Sequence, residues 1–369
     1  MKIYWLFLAV SLLVCFIDLY NYDVVAVKDH YEKRAKWLQT ILFFGVLILF
    51  CGLRSGIADT GTYIAMFEDY PSSLGAIDWS TDIKDKGFYV FSVLYKQFIS
   101  EDFHGWLFLI ALISSVAMMI PLKKYSSFFG LSCFLFIATT LFTNLVNGIR
   151  QFICAAILFL CMDLIKEGKF WKYALIVLLL STIHGSTILM LPIYFVARAK
   201  PWSGKMWLVM AIAIGAGIFF DKVFPVMGAL LENTQYENYV DYIATSGVGS
   251  NVIRLFIAGI PCLLAYIGRP VIEEEGNEIL DISINMSILN LCIFFIATFS
   301  SGMAFGRLTA FFDIYNLLLL PWLLKYVFND ISGKIVTALC IIAYTAFFYF
   351  QMAITWGMVY ESDILNIFC

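Results

Sequence analysis

About twelve apolar runs, most of them long enough to cross a lipid bilayer, alternate with short polar segments along this chain. A membrane-spanning helix needs about 20 predominantly apolar residues. We predict spans at 3–20, 37–53, 104–122, 127–146, 149–165, 171–184, 186–198, 206–222, 251–267, 285–303, 308–327 and 334–356. Only 14% of the residues are charged, whereas soluble domains carry about 25%. The chain is therefore predicted to be an all-α polytopic membrane protein that forms one integral membrane domain, 1–369.

Lysine and arginine are distributed unevenly among the loops, and this predicts an orientation. They are concentrated at 21–36, 123–126, 166–172 and 198–205, which the positive-inside rule assigns to the cytoplasm. The long loops 54–103 and 223–250, rich in Asp, Glu and Tyr, are then external. Phe88–Ile99 is too short to span and is predicted to be an interfacial helix. The N-terminal run Ile3–Phe16 has no small-residue cleavage site, so we interpret it as an uncleaved first helix.

Four arginines depart from this orientation, because they lie at helix ends on the outer side: Arg54, Arg150, Arg254 and Arg307. Charges at a membrane edge are functional candidates, and a guanidinium can bind phosphate or carboxylate through two hydrogen bonds. Arg150 follows a turn at Asn147-Gly148, in the first turn of a helix. There the helix dipole disfavours a cation and the free N–H groups favour an anion. An anionic, phosphate-bearing substrate is predicted; snorkelling of Arg150 to lipid head groups is the alternative.

Three ionisable side chains near the outer edge are candidates for acid–base chemistry. His184 lies among hydroxyl residues, and because imidazoles titrate near neutrality it is either a general base or a structural histidine. Asp59 and Tyr63, four residues apart, share one face of a short outer helix. Asp59 alternatively caps that helix, and Tyr63 belongs to an interfacial aromatic belt. Asp313, about two turns beyond Arg307, is either a buried base or the partner of a polar group on another helix.

The sequence offers a candidate glycan surface but no cofactor motif. Three tyrosines in the loop 223–250 are spaced three residues apart, namely Tyr236, Tyr239 and Tyr242. Their rings suit sugars, although an interfacial cluster is equally expected. We find no nucleotide-binding, zinc-protease or nucleophile-elbow motif, and the nine cysteines show no metal-ligand spacing. Neither a cofactor nor a metal is therefore predicted. The net charge of -3 argues against a nucleic-acid partner.

Four short segments follow one another in a characteristic order: Gly52-Leu-Arg54 with Asp59-Thr and Tyr63; Asn147-Gly-Ile-Arg150-Gln151-Phe; His184-Gly-Ser with Leu191-Pro192; and Arg307-Leu-Thr-Ala-Phe-Phe with a downstream Leu-Pro. In this order they resemble the EpsG/Wzy-like family of bacterial polysaccharide polymerases, over most of the chain. The stretch between Arg54 and Asp59 departs from the family pattern, in which relatives often have an aromatic residue or Val, and a Gly close to the Asp.

The resemblance implies a reaction and a location. A growing glycan is transferred from undecaprenyl diphosphate onto the non-reducing end of another lipid-linked repeat unit, at the periplasmic face of the bacterial inner membrane. It also implies a GT-C-like fold of about twelve spans, no metal, and lipid-linked donor and acceptor glycans as substrates. Membrane lipids and a chain-length regulator protein are expected as further partners.

We assign the candidate residues to three roles. The diphosphate would be bound by Arg54, Arg150, Arg254 and Arg307. The glycan would be bound by Tyr63, Asn147, Gln151, Tyr236, Tyr239 and Tyr242. The acceptor hydroxyl would lose its proton to one of His184, Asp59 and Asp313. Two other classes stay open: a lipid-linked oligosaccharide flippase or other transporter, which should carry its cations deep in a central cavity, and a membrane O-acyltransferase, which also uses His and Arg.

Overall fold

The computed structural model describes residues 2–27, 30–220, 222, 249–300 and 302–368. This part of the chain is mostly helical, which confirms the all-α prediction, and its strands form two short antiparallel hairpins. The chain folds into two compact units, Met1–Leu191 with Leu324–Cys369, and Pro192–Leu323. The single integral membrane domain stays a prediction.

The first unit begins with α1 (Lys2–Tyr20), which a hairpin of β1 (Tyr22–Val27) and β2 (His30–Ala35) connects to α2 (Trp37–Gly52). The helices that follow are α3 (Thr60–Asp69), α4 (Lys86–Phe98), α5 (Phe103–Tyr125), α6 (Phe129–Ala138), α7 (Ile149–Leu160), α8 (Met162–Lys166) and α9 (Phe170–Ser181). Short 3-10 turns lie at Leu74–Ala76, Leu141–Leu145 and Gly185–Leu189.

The chain enters the second unit in α10 (Met190–Ala197). The next elements are α11 (Gly204–Ile218), α12 (Val252–Ile267), α13 (Arg269–Glu275), α14 (Glu278–Phe299), α15 (Gly302–Leu308), α16 (Ala310–Asp313) and α17 (Asn316–Tyr326). The long, largely buried α14 packs against α11, α12 and α15. From Leu324 the chain belongs to the first unit again. It continues through α18 (Asp330–Tyr349), a π turn (Phe350–Trp356), β3 (Glu361–Ser362) and β4 (Ile367–Phe368).

Within the described residues, four helices are long and apolar enough to cross a membrane: Lys2–Tyr20, Phe103–Tyr125, Glu278–Phe299 and Ile331–Trp356. Two bent helix pairs raise this number to six if each pair is one span. The remaining apolar helices have 10–17 residues. A 12-residue helix is about 18 Å long, shorter than the hydrocarbon core of about 30 Å. The chain is a multi-pass membrane protein, and the count of twelve spans stays a prediction.

Backbone breaks explain why several predicted spans are divided. The run 127–146 reads as one span, but α6 ends at Ala138 and Thr140 adopts a left-handed φ of 66°, after which a 3-10 turn begins. The run 308–327 likewise contains a 53° bend between Phe305–Asp313 and Asn316–Tyr326. Hydropathy reports the apolar length of such a run and is insensitive to a turn within it.

An aromatic cluster fixes α3, α4, α5 and the start of α7 relative to one another. It comprises Tyr63, Phe67, Phe88, Tyr95, Trp106, Leu107, Ile110 and Ile149. The rings of Phe67 and Trp106 stack with centroids 4.7 Å apart, an arrangement that adds to the burial of both side chains. The short segment predicted at Phe88–Ile99 is therefore a helix, α4, and it packs through Phe88 and Tyr95.

The C-terminal segment is bound to the end of α2. The amides of Ser55 and Gly56 donate to the carbonyl of Glu361 at 2.9 and 3.2 Å, and the Glu361 amide donates to the Gly56 carbonyl at 2.7 Å. The Tyr360 hydroxyl donates to the Phe50 carbonyl at 2.7 Å. These bonds join two segments that lie about three hundred residues apart in the sequence, so no local pattern predicts them.

Candidate active site

Arg150 lies in the first turn of α7, as its sequence context predicts. The preceding Gly148 has a φ of +76°, a left-handed conformation that side-chain-bearing residues rarely adopt, and it allows the chain to turn directly into the helix. The Arg150 guanidinium donates through Nη1 to Oδ2 of Asp85 at 2.7 Å, which is ion-pair geometry. The positive end of the helix dipole disfavours the Arg150 cation at this position. The negative charge of the Asp85 carboxylate offsets this unfavourable interaction.

Asp85 is the residue that organises this site, and the sequence analysis did not identify it. It occupies the N-cap position of α4 with a φ of 52°, yet its side chain makes no capping hydrogen bond to that helix. Its carboxylate accepts from Arg150 through Oδ2 and from the Gly185 amide through Oδ1, the latter at 3.3 Å. The side chain is only 7% exposed. Asp85 therefore connects three segments that are distant in the sequence.

His184 lies near the same carboxylate oxygen as Arg150. Its Nδ1 is 3.8 Å from Oδ2 of Asp85, which suits an electrostatic contact and is too long for a hydrogen bond. A close backbone approach produces this arrangement: the Gly87 amide donates to the Thr182 carbonyl at 2.8 Å. A Cβ at Gly87 would overlap Thr182, so only glycine allows α4 to begin this close to the His184 turn.

The charges around Asp85 keep its carboxylate ionised. Burial raises the pKa of Asp85, but the neighbouring His184 imidazole and Arg150 guanidinium lower it by more. The net pKa lies below the usual value of an aspartate. The site therefore contains an ionised carboxylate close to a permanent cation and an imidazole. The cation can bind an anion, and the imidazole can accept a proton.

Aromatic side chains surround the ion pair. The rings of Tyr63 and Phe88 lie 6.0 and 5.9 Å from Cζ of Arg150, which is the range of cation–π contacts. Tyr70 and Tyr89 pack edge to face, with ring centroids 4.6 Å apart. Burial raises the pKa of the Tyr70 hydroxyl to about 12, although the positive charge of Arg150 opposes this shift. Tyr63 thus packs beside the arginine, and its predicted contact with the glycan stays a prediction.

Several buried polar atoms in the two segments that carry Arg150 and His184 have no hydrogen-bond partner among the described residues. They are Oδ1 of Asn147, Nε2 of Gln151, Nδ1 of His184 and Oγ of Ser186. Buried polar groups in folded proteins are almost always paired, so this concentration is unusual. It favours the predicted role of Asn147 and Gln151 in binding a polar ligand, which stays a prediction.

Arg54 has a different environment from Arg150. It is fully buried, donating through Nε to the Thr60 hydroxyl at 2.9 Å and through Nη1 to the carbonyl of Cys51. Burial lowers the pKa of its guanidinium to about 10, so it stays charged at neutral pH. These bonds connect the last turn of α2 to the start of α3, and binding of diphosphate by Arg54 stays a prediction. Asp59 occupies the N-cap position of α3 but makes no side-chain capping bond.

The second unit contains the remaining candidates among the described residues. Oδ1 of Asp313 accepts from Nδ2 of Asn290 at 3.2 Å and from Nδ2 of Asn316 at 2.8 Å. Asp313 is thus the partner of a polar group on another helix, one of its two predicted roles, and Arg254 also interacts with it electrostatically. Arg307 is exposed on α15. The predicted functions of these residues stay predictions.

Two further predictions concern residues and groups that the structure does not place. The tyrosines predicted to bind glycan in the outer loop, Tyr236, Tyr239 and Tyr242, lie outside the described residues. Within the described ranges, no group of three or more His, Cys, Asp and Glu side chains is arranged to hold a metal ion. Metal independence stays a prediction.

A comparison with known protein families covers most of the chain. The model of the EpsG family matches residues 37–360. No curated protein and no solved structure matches the chain. The matched region includes Asp85, Arg150 and His184, together with the four motifs of the sequence analysis. The chain belongs to the EpsG family, as those motifs predict.

Proposed function

We propose that this protein polymerises oligosaccharide repeat units linked to undecaprenyl diphosphate, which makes it a glycosyltransferase of polysaccharide biosynthesis. Membership of the EpsG family supports a polymerase-type function. The observation that carries the proposal is the contact of Arg150 and His184 with one buried carboxylate, Asp85. A guanidinium suits a diphosphate, and an imidazole suits a hydroxyl that must lose its proton.

The transfer has a simple balance of bonds. The bond between the anomeric carbon of the donor glycan and the diphosphate oxygen breaks, and its electron pair leaves with undecaprenyl diphosphate. The acceptor hydroxyl, on the non-reducing end of a second lipid-linked repeat unit, forms the new glycosidic bond. Its proton passes to Nε2 of His184, the ring nitrogen that does not face Asp85. The result is a chain longer by the transferred glycan and a free undecaprenyl diphosphate.

Arg150 supplies the electrostatic part of this mechanism. Negative charge develops on the diphosphate as the glycosidic bond breaks, and a fixed cation stabilises that charge without reorganisation. Its side chain is 22% exposed, and among the described residues only Asp85 accepts a hydrogen bond from it. The remaining N–H groups are thus available to phosphate oxygens. Diphosphate binding by Arg54, Arg254 and Arg307 is also part of the proposal, and Asp59 and Asp313 are the alternative proton acceptors.

The proposed setting follows the family and the charge distribution. The protein lies in a bacterial inner membrane with a GT-C-like arrangement of about twelve spans, and its active site faces outward, on the side of the membrane to which the charge distribution assigns the loops 54–103 and 223–250. The lipid tail lies between helices, and the sugars contact Tyr63, Asn147, Gln151 and the outer-loop tyrosines. A chain-length regulator protein is the proposed protein partner.

The glycan length distribution of a deletion strain tests this function. A lost polymerase leaves one repeat unit on the acceptor, and plasmid-borne wild type restores long chains. The absence of any repeat unit would indicate a flippase or ligase, and full-length glycan with altered acylation would indicate an O-acyltransferase. Either outcome contradicts the proposal. Complementation with Arg150→Ala should leave single units, whereas Arg269→Ala, which breaks an exposed ion pair with Glu273, should restore long chains.

A further inference from the structure

The cation proposed to bind the diphosphate is already neutralised in this structure. Nη1 of Arg150 lies 2.7 Å from a carboxylate oxygen of Asp85, whose side chain is only 7% exposed. A diphosphate beside the same guanidinium would face this carboxylate as a like charge in a poorly solvated place. The substrate and Asp85 therefore compete for Arg150.

Asp85 has a second set of partners that can hold its carboxylate when Arg150 turns to another anion. Its Oδ1 already accepts from the Gly185 amide at 3.3 Å, and its Oδ2 lies 3.8 Å from Nδ1 of His184. That nitrogen is buried and has no hydrogen-bond partner among the described residues. A shortening of this contact by less than 1 Å would give a normal hydrogen bond.

We propose that Asp85 is a positioning residue that exchanges partners during the reaction: it is the counter-ion of Arg150 in the empty site and of His184 once the diphosphate occupies Arg150. This inference rests on the proposed function, because it assumes that Arg150 binds the diphosphate. It links the binding of one substrate to the state of the base that acts on the other. His184 gains its full carboxylate partner only when the donor is in place.

The exchange fits the movement of charge in the transfer. When the acceptor O–H bond breaks and its proton moves to Nε2 of His184, the imidazole becomes a cation beside the Asp85 carboxylate. At the same time the diphosphate oxygen receives the electron pair of the broken glycosidic bond beside Arg150. Each new charge then has an opposite charge next to it, and Asp85 itself takes no proton.

The test compares binding and activity in a neutral variant. We would measure undecaprenyl diphosphate binding to the purified full-length protein in nanodiscs, and polymer length in complemented cells. In Asp85→Asn the competing charge is gone, so the affinity for undecaprenyl diphosphate should rise about tenfold, roughly the worth of one hydrogen bond to a charged group. Polymerisation should nevertheless fall, since His184 loses its carboxylate. A residue that merely supports the fold would lower both quantities.

A second variant and a matched control make the result decisive. Asp85→Ser also removes the charge, with a smaller side chain, and should show the same opposite changes. Asp163→Asn removes the carboxylate of another 2.7 Å ion pair, with Lys124, and should leave the affinity unchanged. Equal or weaker binding in a folded Asp85 variant would overturn the exchange. If the wild type and Arg150→Ala bind the diphosphate equally, Arg150 is not its ligand and the exchange fails, whereas the proposed function is decided separately by the glycan length in the deletion strain.

Discussion

Replacing Arg150 with lysine tests the site directly, because the substitution keeps the positive charge and removes the planar fork of nitrogens. In the structure the guanidinium donates through Nη1 to Asp85 at 2.7 Å, and its other nitrogens make no hydrogen bond to a described residue. Lysine has one nitrogen at the end of a flexible chain. It can pair with Asp85, but it cannot donate two parallel hydrogen bonds to the diphosphate after that pair has opened.

The magnitude follows from the number of bonds lost. At least one hydrogen bond between charged groups disappears, and such a bond contributes about 1.5–3 kcal/mol. Since a tenfold change in rate corresponds to about 1.4 kcal/mol, kcat/KM for chain extension should fall roughly 10- to 150-fold. The packing of the guanidinium against Tyr63 and Phe88 is also weakened, which adds to the loss.

The assay is extension of lipid-linked repeat units, extracted from the deletion strain, by purified variants matched for amount and membrane insertion. Arg269→Lys is the control, because Arg269 forms an ion pair with Glu273 in which both side chains are 45% exposed. It should extend chains at the wild-type rate. If Arg150→Lys also keeps kcat/KM within about twofold of wild type, the loss is much smaller than the loss expected from one charged hydrogen bond. Arg150 then serves topology or snorkelling only.

Four further predictions follow from the same contacts. Arg307→Lys should also shorten the glycan while the protein still inserts; normal long chains would show that Arg307 has no part in binding the diphosphate. His184→Ala and His184→Gln should both lose extension but retain undecaprenyl diphosphate binding, and normal polymerisation by the Gln variant would make this histidine a structural residue. Because Asp85 has a lowered pKa, its stabilising effect is complete above the ordinary carboxyl pKa of about 3.9 and is lost as the pH falls through its own pKa. The difference in melting temperature between wild type and Asp85→Asn should therefore persist at pH 5 and shrink only below about pH 4; a difference that vanishes by pH 6 would contradict this. In a cysteine-free background, an impermeant thiol reagent should reach a cysteine at position 240 from outside but not one at position 124, and the reverse pattern would overturn the orientation.

Apolar length and turn residues predict most of the helices and two of the three residues at the centre of the site. The Asn147-Gly148 turn locates the start of α7 and hence Arg150, and the Gly185 break locates His184. The same patterns leave the burial of Arg54 unpredicted. Its guanidinium bonds to the Cys51 carbonyl in the last turn of α2 and to the Thr60 hydroxyl at the start of α3, which is a matter of tertiary packing.

Asp85 could not be found in this way, because its partners are remote. Arg150 lies 65 residues further along the chain and Gly185 lies 100 residues further. In the sequence it is one of several charged residues in the loop 54–103, followed by Lys86 and Gly87. The one local signal is that glycine in the first turn of α4, and it indicates a close backbone approach only once its neighbour, Thr182, is known.

The unfavourable position of Arg150 at the start of a helix nevertheless indicates that a compensating group such as Asp85 exists. A cation in the first turn of a helix opposes the helix dipole, and an isolated guanidinium at a membrane edge is costly. A folded protein retains such a conflict where another group compensates it or where function requires it. The structure supplies the compensation, a carboxylate that is 7% exposed and 2.7 Å away. In the partner exchange proposed above, this pair opens when Arg150 binds a phosphate. The neutral Asp85 variants measure that step.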